Sequence, residues 1–230
     1  MKPRAIIALD VPDAAGAATL LERLGPEADF VKVGSELFAA AGAAMVRQLR
    51  SEHRDVFLDL KWHDIPNTVR SAARVAAAMD VSLVTVHASG GRAMLEAAVE
   101  GAGHACGVLA VTVLTSLDAA SLGEAMGRPI ASVQDEVLRL ADLARKAGAH
   151  GVVCSGAEAG AVRVAFGNTL RILVPGIRLT GGARHDQARV VTPEDALAAG
   201  ATYLVLGRAV TESRDPRETL AGVKRVLSGT

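Results

Sequence analysis

The chain is poor in cysteine. Only Cys106 and Cys154 occur among its 230 residues, and they form no Cys-x-x-Cys pair and no zinc-ligand spacing. Both read as small buried hydrophobes in strands. Net charge is lacking too, with Lys plus Arg and Asp plus Glu at 25 each. That balance argues against broad binding to nucleic acid or to an anionic membrane, yet a few local cations can still hold a small anion. No apolar run approaches the ~20 residues of a membrane span. The first apolar stretch, Ala5 to Leu9, is too short for a signal peptide and ends in Asp10. Low-complexity tracts and an evident domain linker are missing as well. These absences describe a cytoplasmic, reduced protein with one domain over residues 1–230 and no nucleic-acid or membrane partner.

What is present is a regular alternation. Short β-branched runs, at Ala5–Asp10, Phe30–Gly34, Val56–Lys61, Leu83–His87, Gly107–Leu114, Gly151–Ser155, Arg171–Gly176 and Tyr203–Gly207, read as strands. Helical patterns lie between them, at about 13–24, 36–52, 67–79, 91–103, 132–147, 157–166, 193–199 and 216–227. Eight strand–helix units predict an α/β fold, a closed parallel (β/α)8 TIM barrel, with a doubly wound open sheet as the alternative. Asp13 is placed to cap the first helix, Pro66 and Pro193 fit first helical turns, and Gly148 and Gly200 fit helix stops. The polar stretch from about Arg178 to Val191 contains Gly181-Gly182 and lacks periodicity. A loop of that length in a barrel reads as a lid or binding loop.

Strand parity then singles out a set of charges. Ile7 and Leu9 share one face of the first strand, and Ile6, Ala8 and Asp10 the other. The same phase sets Val31 and Val33 against Phe30 and Lys32, Leu58 and Leu60 against Phe57, Asp59 and Lys61, and Val84 and Val86 against Thr85 and His87. Aliphatic residues thus face the helices, and Asp10, Lys32, Asp59, Lys61 and His87 point inward near the C-terminal strand ends. Buried charges are costly unless paired, and that end of a barrel carries the chemistry. Four consecutive strand ends of mixed sign point to an active site. His87 alone reads equally well as a satisfied interior histidine. A lysine interleaved with carboxylates stays charged, which suits a proton donor or an anion clamp rather than a Schiff-base nucleophile. The lysines also supply the counter-charge that a divalent metal would otherwise bring.

The run Asp59-Leu60-Lys61-Trp62-His63-Asp64-Ile65-Pro66-Asn67-Thr68-Val69 closely resembles the signature of orotidine 5′-monophosphate decarboxylases, of the bacterial type. Further matching pieces follow in the family's order. They are Ala8-Leu9-Asp10, Val31-Lys32-Val33-Gly34, Val86-His87-Ala88-Ser89-Gly90-Gly91, Val113-Leu114-Thr115-Ser116, Pro175-Gly176-Ile177-Arg178, Asp186-Gln187-Ala188-Arg189-Val190 and Leu206-Gly207-Arg208-Ala209. The Asp-x-Lys-x-x-Asp spacing also occurs in sister decarboxylases, whereas Asp-Ile-Pro-Asn-Thr and the late Gln and Gly-Arg pieces are more specific.

The resemblance implies loss of CO2 from C6 of orotidine 5′-monophosphate, giving uridine 5′-monophosphate, with no metal or organic cofactor. It implies that Lys61 stabilises the carbanion-like centre and protonates it, in a network with Lys32, Asp59 and a partner subunit's Asp64. It further implies that Asp10 and Lys32 meet the ribose, Asp59 lies by the departing carboxylate and Thr115 lies beside the pyrimidine. Arg178, Gln187, Gly207 and Arg208 would hold the phosphate, and Asp64, Ile65 and Thr68 would cross a homodimer interface. The rivals are a Mg2+-dependent sister enzyme acting on a phosphorylated sugar acid, and a phosphate-binding barrel without chemistry. Trp62 and His63 otherwise read as packing at the strand exit, Gly90-Gly91 as a tight turn, and Arg184, Arg189 and Arg214 as solvated charges.

Overall fold

Alternating apolar runs and amphipathic stretches become strands and helices in turn. The structure is a computed structural model in which residues 2–179 and 191–229 are described. Its first half runs β1 (Arg4–Ala8), α1 (Ala14–Leu24), β2 (Phe30–Gly34), α2 (Ser35–Ser51), β3 (Asp55–Trp62), α3 (Pro66–Ala78), β4 (Leu83–His87) and α4 (Arg92–Ala102). The second half runs β5 (Gly107–Val111), α5 (Ala119–Met126), α6 (Val133–Lys146), β6 (Gly151–Val153), α7 (Gly156–Phe166), β7 (Arg171–Val174), α8 (Pro193–Ala198), β8 (Tyr203–Leu206), α9 (Arg208–Thr211) and α10 (Pro216–Ser228). The eight strands close in sequence order into a barrel. Every neighbouring pair is parallel, and β8 pairs with β1 from Arg4↔Tyr203 to Ile7↔Leu206. The expected (β/α)8 barrel is therefore the fold, and the open sheet is not.

Two separate apolar layers follow from strand parity. Ile7, Leu9, Val31, Val33, Leu58, Val84 and Val86 belong to the outer layer against the helices. Ile6, Ala8, Phe30, Phe57, Leu83, Leu109, Leu173 and Tyr203 fill the barrel interior. An inner layer of bulky side chains makes a plug rather than a pore. It leaves room for polar groups only near the two mouths.

Local chemistry sets the element ends. Asp13 accepts from the Gly16 amide at 2.8 Å at the start of α1, and Thr192 accepts from the Asp195 amide at 3.1 Å at the start of α8. Pro66 and Pro193 occupy first turns. Gly148 and Gly200 have φ of +77° and +87°, the left-handed region that a helix stop requires. Both cysteines are buried, and burial pushes the Cys106 thiol up to about 12. Among the described residues no helix is long and apolar enough to cross a membrane.

Several expectations needed correcting. The fifth strand ends at Val111 rather than Leu114, the sixth at Val153 and the seventh at Val174. Residues beyond these ends stay apolar because Val113, Leu114 and Pro175 line a cavity instead of continuing the sheet. Helix α5 was not foreseen. Its signal is local: Asp118 accepts from the Ser121 amide at 2.9 Å, and the Asp118 amide donates to Ser121 Oγ at 3.0 Å. The helical stretch at 36–52 is interrupted at Gly42. The expected lid at 178–191, with Arg184 and Arg189, falls almost wholly outside the described residues.

Helices α3 and α4 pack closely because Gly101 has no side chain. A Cβ there would sit 2.2 Å from the backbone oxygen of Arg70. Gly101→Ala is expected to destabilise the fold by about 1–3 kcal/mol through overpacking. Urea unfolding measures this, and an unchanged midpoint would contradict so close a backbone approach.

Candidate active site

The barrel has a cavity at each mouth, and they differ in what their polar groups are doing. At the N-terminal mouth a cavity of about 440 Å³ is lined by Arg4, Phe30, His150 and Tyr203, among others. Three of its polar side chains, Arg4, His150 and Tyr203, are already engaged. Arg4 pairs with Asp55 at 2.7 Å and lies 4.5 Å above the Phe30 ring. His150 Nε2 and the Tyr203 hydroxyl share a hydrogen bond at 3.0 Å. Burial, and then the nearby Arg171, lower the His150 pKa, while burial raises that of Tyr203, so both stay neutral near pH 7.

At the C-terminal mouth a cavity of about 290 Å³ has one charged wall and one apolar wall. Asp10, Lys32, Asp59 and Lys61 form the first, and Val111, Val113, Leu173 and Val205 contribute to the second. The charges alternate in space. Lys32 Nζ lies 2.7 Å from Asp10 Oδ1 and 3.9 Å from Asp59 Oδ2, and Lys61 Nζ lies 2.9 Å from the same Asp59 oxygen. The middle pair is the least exposed, with side-chain exposures of 10% for Lys32 and 12% for Asp59, against 38% for Lys61. Each middle charge also has an outer partner, Asp10 for Lys32 and Lys61 for Asp59, so the row leaves no buried charge uncompensated. Gly34 leaves room for this arrangement, since a Cβ there would come within 3.0 Å of Lys32 Nζ.

The backbone of β3 departs from simple pleating to present Asp59 and Lys61. Leu58 pairs with Val84, but the next partners are Trp62 and Val86. Between these pairs β3 spends four steps while β4 spends two, which is a bulge. Lys61 sits within it at φ +50°, a left-handed conformation unusual for a non-glycine residue. Thr85 bridges the bulge. Its Oγ1 accepts from the Lys61 amide at 2.9 Å and donates to Asp59 Oδ1 at 2.8 Å. Parity had put Thr85 on the inner face, but an uncharged residue carried no signal of its own.

The remaining predicted residues that the structure describes divide into two groups. Thr115, Arg178, Gly207 and Arg208 line the same cavity. Among the described residues Arg178 Nε is buried without a hydrogen-bond partner, while the Arg178 amide donates to the Val191 carbonyl at 2.9 Å. A buried donor left unmet costs about 1–3 kcal/mol. Asp64, Ile65 and Thr68 do not line the cavity of their own chain. All three are exposed, Ile65 by 66%, and the Asp64 carboxylate accepts from the Ile65 amide at 2.6 Å. Gln187 lies outside the described residues.

His87 stands beside the charged row rather than in the cavity lining. It is half-buried, off the cavity lining, with its ring 5.5 Å from that of His63. Burial, then His63 and Lys61, lower its pKa. Trp62 packs against the outer apolar layer, as expected of a strand exit. Among the described residues no group of three or more His, Cys, Asp or Glu side chains is gathered to hold a metal ion.

Comparison with known proteins gives a consistent result. Residues 3–223 match the model of the family described as orotidine 5'-phosphate decarboxylase / HUMPS. A protein of Anaeromyxobacter sp. (strain K) named orotidine 5'-phosphate decarboxylase is 53% identical over 220 residues, covering 94% of this chain and 95% of that protein. One of the same name from Laribacter hongkongensis is 49% identical over 227 residues, covering 97% and 92%. The crystal structure of the orotidine 5'-phosphate decarboxylase of Lactobacillus acidophilus superposes with a TM-score of 0.87 at 35% identity, covering 99% of each chain.

Proposed function

The chain belongs to the orotidine 5'-phosphate decarboxylase / HUMPS family, and from that premise we propose that it converts orotidine 5′-monophosphate to uridine 5′-monophosphate in pyrimidine biosynthesis. The observation that carries this reading is the alternating row Asp10, Lys32, Asp59, Lys61 along one wall of a cavity whose other residues include Arg178 and Arg208.

The chemistry follows from the charges. Breaking the C6–carboxylate bond leaves its electron pair on a carbon with no adjacent sink. The Lys61 ammonium stabilises that pair electrostatically and then gives C6 a proton, which the lysine recovers from solvent. The Asp59 carboxylate fixes Lys61 on one side and faces the departing CO2 on the other. Lys32 balances Asp59 and, with Asp10, meets the ribose hydroxyls. Thr115 lies against the pyrimidine. Arg178, Gln187, Arg208 and the Gly207 amide hold the phosphate, in keeping with the habit of barrels to bind phosphate after the seventh and eighth strands. Binding the distant phosphate tightly supplies energy that orders the reacting end. The reaction in this reading needs no metal or organic cofactor.

The same reading makes the functional unit a homodimer. Asp64, Ile65 and Thr68 are exposed on their own chain, and Ile65 is a large apolar side chain open to solvent. Their place is the partner's cavity, where Asp64 extends the row of alternating charges beyond Lys61.

Two experiments test these proposals. Purified protein mixed with orotidine 5′-monophosphate is expected to change the pyrimidine absorbance, undiminished by EDTA. Lys61→Ala is expected to abolish that change. No turnover by wild type, or undiminished turnover by the variant, contradicts the assignment, and loss on chelation favours the Mg2+-dependent sister reaction. In the second, Lys61→Ala and Asp64→Ala chains are dissociated, mixed and reassociated. Each hybrid dimer then holds one intact site, so activity should recover to about a quarter of wild type in a statistical mixture. Absence of recovery would place Asp64 in its own chain's site, and an Asp64→Ala chain active by itself would place it outside catalysis.

A further inference from the structure

Thr85 is 1% exposed, in a strand segment otherwise made of Leu83, Val84 and Val86. A buried strand slot of that shape is filled equally well by valine, which is isosteric and an equally good strand former. A hydroxyl there is costly unless both its donor and its acceptor capacities are used. Both are. The hydrogen goes to Asp59 Oδ1 at 2.8 Å and a lone pair takes the Lys61 amide at 2.9 Å.

These two bonds act on the charged wall in different ways. With Oδ1 occupied by Thr85, the Asp59 carboxylate presents Oδ2 to both lysines, at 2.9 Å from Lys61 Nζ and 3.9 Å from Lys32 Nζ. The second bond satisfies the amide of a residue held at φ +50° inside a bulge. A non-glycine residue in that region is destabilised by about 1 kcal/mol or more and persists only where its surroundings hold it.

We propose that Thr85 is a positioning residue, whose hydroxyl sets both the rotation of the Asp59 carboxylate and the backbone conformation that aims Lys61 at the substrate. This rests on the decarboxylase reading of the site. Thr85 touches no substrate. It acts by fixing the two groups that do, and a misplacement of roughly 1 Å at a reacting group costs up to about 100-fold in rate.

The test compares Thr85→Val, which keeps shape and removes the hydroxyl, with Thr85→Ser, which keeps the hydroxyl. Steady-state turnover of orotidine 5′-monophosphate and the melting temperature are measured for each. The expected result is a fall in kcat of about 10- to 100-fold for the valine variant with KM changed by less than about twofold. The serine variant should recover most of kcat. If the valine variant does not fold, Thr85→Ala against Thr85→Ser isolates the same hydroxyl, and a serine advantage in kcat is again expected. Unchanged kcat on loss of the hydroxyl overturns the proposal. So does an equal loss in the serine and hydroxyl-free variants, which would assign the role to the methyl group and packing. Wild-type protein in the same assay reports on the decarboxylase reading itself. A silent wild type overturns both, whereas an active wild type with an equally active valine variant overturns only the role of Thr85.

Discussion

The contact on which the site depends is the 2.9 Å pair between Lys61 Nζ and Asp59 Oδ2. Two residues apart on one strand, these groups would ordinarily sit side by side on a pleat, at a distance set by strand geometry alone. Here the bulge in β3 and the left-handed backbone at Lys61 bring them into direct contact. Asp59 is then shared with Lys32, and Lys32 with Asp10. Each charge in the row has an opposite neighbour, so the cavity carries strong local fields without an unpaired buried ion.

The rest of the barrel makes that row affordable. Phe30, Phe57, Leu109 and Tyr203 fill the interior below it, which excludes water from the floor of the site. The valines on the far wall keep the local dielectric low, and charges act more strongly on a reacting centre there than in water. The sheet ends early at β5 to β7, which releases Val113, Thr115 and Pro175 from pairing and lets them form the cavity. The barrel's other mouth shows the contrast. There His150 pairs with Tyr203, whereas among the described residues Arg178 Nε at the C-terminal mouth has no hydrogen-bond partner.

Much of this was legible in the sequence because strand parity is a period of two and survives inspection. The in-phase charges at Asp10, Lys32, Asp59 and Lys61 needed only that period and the count of strand–helix units. Asp13, Pro66 and Pro193 announced their helices by local chemistry. What escaped was everything that breaks the period. The bulge at Lys61 has no glycine to mark it, and the hydrogen bonds of Thr85 depend on a register between β3 and β4 that no single strand encodes. The pairing of His87 with His63 also escaped, because His63 lies beyond the strand end and outside any periodic pattern. The strand ends at Val111 and Val174 were overrun because cavity-lining residues such as Val113, Leu114 and Pro175 are as apolar as strand residues.

The central claim is that Lys61 exchanges a proton with C6 of the pyrimidine. By microscopic reversibility an enzyme that delivers this proton also removes it from the product. Uridine 5′-monophosphate incubated with the enzyme in D2O should therefore lose its C6–H signal in the proton NMR spectrum, at a rate proportional to enzyme concentration. Lys61→Ala protein should leave the signal at the rate of the enzyme-free control. Exchange at an equal rate in wild type and Lys61→Ala would contradict the claim and move the proton to another group.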